Sequence, residues 1–514
     1  MDSVMMSQYD AIVVGGGHNG LVATCYLAKA GYRTLLLEQG NELGGATKSV
    51  YAFAGVDAQL SRYSYLVALL PDQIKTDLGL NFETLSRSIS SYTPWQDSGI
   101  LINRNYDKIS RASIDALTGN QNESANWERF YSRVAQFAAQ VAPTLLRPVP
   151  SAVEIRELVG AELWNEFVTT PFEETLAKYF TNDVVKGIVL TDALIGTFTS
   201  AREALANICF LYHLIGNGTG EWRVPKGGMG ALVEELADRA ISFGAELKSG
   251  SKVISIREYE DRVIVESESG ERYFTSTVLA TCAPKTLERL AGIVAPPLRD
   301  GSQMKMNMVL ARLPQFRSGI DPRVAMAGTL HINESFTQLE RAYRESSAGM
   351  IPTEIPCELY CHTLTDPSIL APSLSATGMH TLTLFAIHTP ASLFDGDHDG
   401  VKEVVTKRIL DGLNSYLIEP IESCLAKDQN GRPCLEVKTP QELEAEIDLP
   451  RGNIFHANLT FPWREPGDNR RWGVETTSDR IFLAGAGSLR GGGVSGIGGH
   501  NGAMAAMERL ANSK

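Results

Sequence analysis

The stretch Tyr9–Glu38 reads YDAIVVGGGHNGLVATCYLAKAGYRTLLLE. Its first six residues are a short apolar run of the kind that forms a strand buried on both faces. The run passes directly into Gly15-Gly16-Gly17-His18-Asn19-Gly20, a GxGxxG pattern, and then into LVATCYLAKA, which predicts a helix. Gly31 suits the left-handed position after that helix, and TLLLE supplies a second strand ending on Glu38. Together these parts predict a βαβ unit that holds a dinucleotide. Gly15 permits the tight turn, Gly17 lets the backbone approach a pyrophosphate, and Gly20 lets helix and strand pack closely. The helix N-terminus, carrying His18 and Asn19, offers unpaired N–H groups and a partial positive charge to the phosphates. Glu38 is placed to accept hydrogen bonds from ribose hydroxyls. A bare GxGxxG is a weak signal, but here strand, helix, second strand and acid stand in register.

A second GxGxxG, Gly491-x-Gly493-x-x-Gly496, lies in SLRGGGVSGIGGHNGAM near the end of the chain. Eighteen residues follow Gly496, enough for one helix but not for the further strand and acid of another nucleotide domain. DRIFLAGAGSL before it reads as a strand and a loop. The expectation is a strand, a glycine-rich loop and a closing helix that return to the first nucleotide, with Gly485, Ala486, Gly493, Val494 and Ser495 beside it. The two motifs predict two contacts with one ligand.

Composition narrows the function classes. The 514 residues carry a formal charge of −13, so the basic patch of a nucleic-acid binder is not expected. No apolar stretch reaches the ~18–20 residues of a membrane span. The opening MDSVMMSQYD lacks the basic and apolar regions of a signal peptide, which predicts a cytoplasmic protein. The seven cysteines are scattered and none forms C-x-x-C, so reduced thiols are expected and no disulfide redox pair. The sequons at Asn122, Asn217, Asn333 and Asn458 carry no weight without secretion. No metal-ligand spacing, Ser/His/Asp triad or paired-carboxylate signature stands out.

Directly after Glu38 comes QGNELGGATKS, a second glycine pair, Gly44-Gly45, followed by Ala46 and Thr47. This pattern resembles the glutathione-reductase-type group of FAD-binding oxidoreductases, which implies that the dinucleotide is FAD. Glu221–Leu247 reads as a strand-like entry, a Gly-Gly turn and an amphipathic helix. KVISIREYEDRVIVESESGERYFTSTVLATCAP then gives three short strands with a turn at Ser269-Gly270, and the resemblance puts Val253 against the adenine. Three stretches, IVVGGGHNGLVATCYLAKAG, WRVPKGGMGAL (Trp222–Leu232) and GAGSLRGGGVSGIGG, resemble the bacterial-type phytoene desaturases. The GHNGL opening and IFHANL (Ile454–Leu459) are closer to a branch labelled pyridine nucleotide–disulfide oxidoreductase domain-containing.

The resemblance implies an α/β fold with a Rossmann-like FAD-binding domain assembled from segments 8–85, 221–290 and 450–514. An inserted α+β substrate domain, amine oxidase/phytoene desaturase-like, would come from 86–220 and 291–449. Two departures touch the cofactor's surroundings. Leu489-Arg490 stands where many relatives have His-Pro, and Ala46 where many have arginine.

The first insertion reads as largely helical, with Trp127, Phe130, Val134, Phe137, Val141 and Leu145 on one apolar stripe ended by RPVP at 147–150. ALANICFLYHLIG predicts another helix, and KMNMVLARLP and HTLTLFAIHTP predict strands. Phe210, Tyr212, Met306, Met308 and Phe385 read singly as core, and together as the lining of an apolar pocket. His456 is a candidate for proton exchange with a substrate, against a purely structural role. Arg490 is a candidate partner of an anionic substrate or of the cofactor.

The function these features imply is that of an FAD-dependent dehydrogenase or desaturase. A hydride would pass from a C–H bond of an organic substrate, apolar in the desaturases, to flavin N5, and the electrons would go on to oxygen or a quinone. The alternatives are an amine- or amino-acid-type oxidase, a polyene isomerase, and a non-catalytic binding protein resembling the Rab GDP-dissociation inhibitors. The retained Glu38, Gly45 and closing glycine loop favour an enzyme. A lipid substrate would add membrane contact without integration.

Overall fold

The first strand, Gln8–Val14, lies in the middle of a seven-stranded sheet, which is why its apolar residues run on without alternating. It pairs in parallel with Thr34–Leu37 on one side and Arg272–Ala280 on the other. Glu246–Lys248 extends one edge, and the antiparallel strands Val253–Glu258 and Val263–Ser267 extend the other. Ile481–Leu483, from the end of the chain, adds in parallel to Arg272–Ala280. Strands distant in sequence thus build one Rossmann-like layer. These features come from a computed structural model that describes residues 8–512. The first seven residues of the stretch read above as lacking a signal peptide lie outside the described residues.

The first helix spans His18–Lys29 and so begins inside the glycine motif, three residues earlier than the apolar run suggests. Gly31 takes a φ of 87°, as its place after the helix requires. The closing helix, Ile497–Asn512, packs directly on the first one. Gly499 makes that approach possible, since a Cβ there would run into the Asn19 carbonyl oxygen.

The second sheet also has seven strands, in the order Leu435–Lys438, Lys305–Leu310, His380–Ala386, Cys357–Tyr360, Thr329–Ile332, Ile89–Trp95 and Ser98–Asn103. One face packs Met306, Met308, Leu330, Leu359 and Leu384 into a core with the helix His398–Asn414. The other face looks towards the first domain and carries Lys305, Phe385, Glu358, Tyr360, Thr329 and His331. Met306 and Met308 are therefore outer core and line no pocket, because strand periodicity turns them away from Lys305. The first insertion is largely helical, as read, and the hairpin at 89–103 is its one addition to the second sheet. Its tight turn places Gln96 at a φ of 53° and carries no Asn-Gly or Asp-Gly signal.

The helical wall is built on Gln121–Val141, whose Trp127, Phe130, Val134, Phe137 and Val141 are buried as a stripe. That helix stops before RPVP, at a 3₁₀ turn over Ala142–Thr144. Pro143 lacks the N–H that another helical turn would need. Leu145 packs beyond the turn, and Phe210 lies wholly inside the helical core. Among the described residues no helix is long and apolar enough to cross a membrane.

Candidate active site

Both glycine loops open onto one cavity of about 630 Å³ between the two sheets. From the first loop Gly15, Gly17, His18, Asn19 and Gly20 line it, followed by Glu38, Gly45 and Ala46. Val253, Ala486, Gly493 and Val494 complete the same wall. The loops are joined directly. His18 Nε2–H donates to the Gly493 carbonyl at 3.0 Å, and Asn19 bridges to the Gly491 carbonyl and the Gly499 N–H. Burial lowers the His18 pKa to about 4, so the ring is neutral and this bond places its proton on Nε2.

Four residues expected beside the nucleotide stand one layer behind it. Gly44 donates its N–H to the Gly16 carbonyl at 2.8 Å, and the Thr47 hydroxyl is bonded to the Gly44 carbonyl. Gly485 backs onto Thr281, and the Ser495 hydroxyl accepts from the Ile497 N–H. They shape the cradle without facing the cavity.

The cradle fits a dinucleotide of the FAD type. Gly17 caps the first helix without any side-chain hydrogen bond, so the end amides remain available to a pyrophosphate. A Cβ on Gly17 would meet only the Gly44 carbonyl, at 3.9 Å, and would otherwise fill the space a phosphate needs. The Glu38 carboxylate accepts from the Gly16 and Gly40 N–H groups, each at 2.7 Å. Those bonds fix its orientation and leave lone pairs for ribose hydroxyls.

Of the two candidate catalytic residues, the structure brings one to the cavity. His456 lines it, with φ at 59°, a buried Nδ1 that has no partner, and a pKa lowered to about 4 by burial and then by the nearby His18. It presents a neutral imidazole. Arg490 does not reach the cavity. Its guanidinium donates to the carbonyls of Pro462, Thr144, Leu145 and Arg147 and ties the closing loop to the helical wall. Burial alone lowers its pKa to about 9. Its Nη2 is buried without a partner, away from the cavity lining.

Sequence reading missed a set of polar residues on the cavity-facing side of the second sheet. Lys305 donates from Nζ to the Tyr63 carbonyl at 2.8 Å and stands 4.0 Å above the Tyr65 ring. That position would suit an ammonium, yet desolvation dominates and pushes its pKa well below the ordinary lysine range. Further along the face, His331 Nδ1 lies 2.5 Å from Glu334 and 3.9 Å from Glu358, all three buried. Burial drives the group towards its neutral forms. It raises Glu334 well above the carboxylate range and Glu358 to about 8, and it lowers His331. The His331–Glu334 spacing is that of a hydrogen bond, since two ligands with bonds of ~2.0–2.2 Å to one ion stand roughly 3 Å apart.

Residues 13–68 match the model of an NAD(P)-binding Rossmann-like domain. An uncharacterized protein of Mycobacterium tuberculosis is 42% identical, covering 98% of each chain. Pyridine nucleotide-disulfide oxidoreductase domain-containing protein 2 of Rattus norvegicus is 29% identical, covering 98% of this chain and 94% of that one. Among solved structures, cyclohexylamine oxidase from Brevibacterium oxydans shares the fold, with a TM-score of 0.57 at 14% identity over 98% and 99% of the two chains. The chain thus belongs to one family with the mycobacterial protein, and its fold is that of the amine oxidases.

Proposed function

We propose that the protein is an FAD-dependent dehydrogenase or oxidase of a small organic molecule held between the two sheets. The observation that carries this reading is the joining of both glycine loops around one cavity that continues past the cradle to the polar face of the second sheet. Bound in the cradle, FAD supplies the acceptor for a hydride leaving a substrate C–H bond, with oxygen or a quinone as the final oxidant. The chain binds and orients. The first helix terminus offsets the pyrophosphate charge, and Glu38 fixes the ribose. Tyr65, Tyr360 and Phe385 exclude water from the reacting end. Lys305, whose pKa burial pushes well below the lysine range, and the neutral His456 stand on the cavity wall as candidate proton acceptors.

We take 8–85, 221–290 and 450–514 as the cofactor-binding segments and 86–220 and 291–449 as the substrate domain. The placement of strands 89–103, 305–386 and 435–438 in one sheet supports that division. Seven free cysteines support a reducing compartment, and we propose the cytoplasm.

The purified protein is expected to be yellow and to release one FAD per chain on acid denaturation. A colourless protein that cannot be reconstituted with FAD would sink the proposal. Lys305→Met is expected to keep its FAD and to slow anaerobic bleaching by a substrate roughly 10²-fold, the scale of losing a proton acceptor. Bleaching at the wild-type rate would remove Lys305 from the chemistry.

A further inference from the structure

Beyond the cradle, the cavity ends in a chamber between the helical wall and the second sheet. Its walls carry Asp192, Tyr131, Trp127, Tyr106, His331 and Arg87. Asp192 caps the C-terminus of the helix Asp183–Thr191, where the helix presents its partial negative charge. No hydrogen bond from a described residue reaches its carboxylate; the more distant charge of Arg87 acts on it favourably, and His331 does so only when protonated. The neighbouring cations are occupied. Arg87 donates to the Trp222 carbonyl and the Thr329 hydroxyl, and Arg104 is paired with Glu221. Burial pushes the Lys305 pKa well below the ordinary lysine range, and its Nζ is bonded to the Tyr63 carbonyl.

Beside Asp192 the wall is aromatic. Tyr131 feels the Asp192 charge, and its ring lies 4.9 Å from that of Trp127. Trp127 in turn stacks on Tyr106 at 6.3 Å with an interplanar angle of 16°. Aromatic faces attract cations and give nothing comparable to anions. A carboxylate without a hydrogen bond, a helix C-terminus and the linked rings Tyr131, Trp127 and Tyr106 line the same cavity, and the Arg111 guanidinium already lies 5.4 Å over the last of these rings. All three favour positive charge.

We propose that this chamber is a subsite for a cationic nitrogen, an ammonium or alkylammonium group of the substrate, with Asp192 as its counter-charge and Tyr131, Trp127 and Tyr106 as its walls. The assignment rests on the oxidoreductase reading above and names the substrate class that this site selects. It replaces the apolar, carotenoid-like substrate that the desaturase resemblance suggests. Asp192 titrates near 6, raised by burial, with His331, Arg87, Tyr131, Cys209, His213, Glu334 and Glu358 as the ionisable groups around it. A permanent cation therefore binds more weakly as pH falls through 6, because protonation removes the charge it pairs with.

The test uses the FAD-loaded protein and three probes of one shape: choline, the neutral 3,3-dimethylbutan-1-ol and the anionic 3,3-dimethylbutanoate. Binding is read by calorimetry. At pH 7.5 choline is expected to bind at least about tenfold more tightly than the alcohol, and the acid not measurably. Asp192→Asn should abolish that preference, and in the unmodified protein it should fall about tenfold between pH 7.5 and pH 5. The pH series keeps the test decisive if the variant fails to fold. Equal binding of all three probes, a preference for the acid, or a cation preference that survives both Asp192→Asn and low pH would overturn the proposal. Charge selection does not depend on turnover. A protein that selects choline but whose flavin no amine reduces would refute the oxidoreductase reading alone. One reduced by neutral substrates without charge selection would refute the subsite alone.

Discussion

Gly20→Ala is expected to purify with at least about tenfold less FAD per chain than the unmodified protein. A Cβ at position 20 would collide with the Gly15 carbonyl oxygen and come within 2.9 Å of the Thr281 hydroxyl. Gly15 cannot retreat. Its N–H is held by the Leu37 carbonyl at 2.9 Å, its carbonyl accepts from Thr281 at 2.8 Å, and its φ is 110°. The strain of about 1–3 kcal/mol is relieved only by moving the loop off the helix terminus, which separates the amides from the pyrophosphate. Each ~1.4 kcal/mol lost from binding is a factor of ten in affinity. Gly31→Ala serves as the control. It meets no atom within 4 Å, lies away from the cradle and costs only its left-handed φ, about 1 kcal/mol of stability. Flavin absorbance per chain after gel filtration checks both. A Gly20→Ala protein with full FAD would show that the helix terminus is not what holds the cofactor.

Arg490→Met is expected to destabilise the protein by about 3 kcal/mol while leaving the FAD content of the folded fraction unchanged. The substitution withdraws the donors from four carbonyls; Thr144 keeps the Arg147 N–H and Leu145 the Asn501 amide, whereas Pro462 and Arg147 lose their partner, at about 1–3 kcal/mol for each buried acceptor left unsatisfied. Part of that loss is offset, because the buried guanidinium itself pays a desolvation cost, which is what lowers its pKa to about 9. The midpoint of urea denaturation, followed by intrinsic fluorescence, reads the change. An unchanged midpoint together with slower substrate-driven bleaching would return Arg490 to the substrate, where an anion-binding reading had placed it. The geometry supports a clamp between the closing loop and the end of the helical wall.

The cofactor end was legible because local chemistry decides it. Gly15, Gly17 and Gly20 are dictated by a turn, a close approach and a helix contact that lie within a few residues of one another. Glu38 follows from the length of the βαβ unit. The late glycine loop was legible as an incomplete unit, since too little chain follows Gly496 to build another nucleotide domain. That it meets the first loop through His18 and Gly493, 475 residues apart, could be expected from resemblance but is made visible by the fold.

The substrate end was not legible, for a specific physical reason. Met304-Lys305-Met306-Asn307-Met308, Thr329-Leu330-His331-Ile332 and Cys357-Glu358-Leu359-Tyr360 all alternate polar and apolar residues. That pattern says one face is buried and gives the other to water. Here the second face looks into an enclosed cavity, so side chains that read as solvated are desolvated, and burial shifts Lys305, His331 and Glu358. Asp192 is still less visible, one acid after a helix, given meaning only by the aromatic wall that another helix brings to it. The sequence by itself determined the dinucleotide cradle, because its parts are neighbours along the chain. Only the tertiary structure decided what the other end of the cavity recognises, because a polar strand face becomes a binding wall when another domain closes over it.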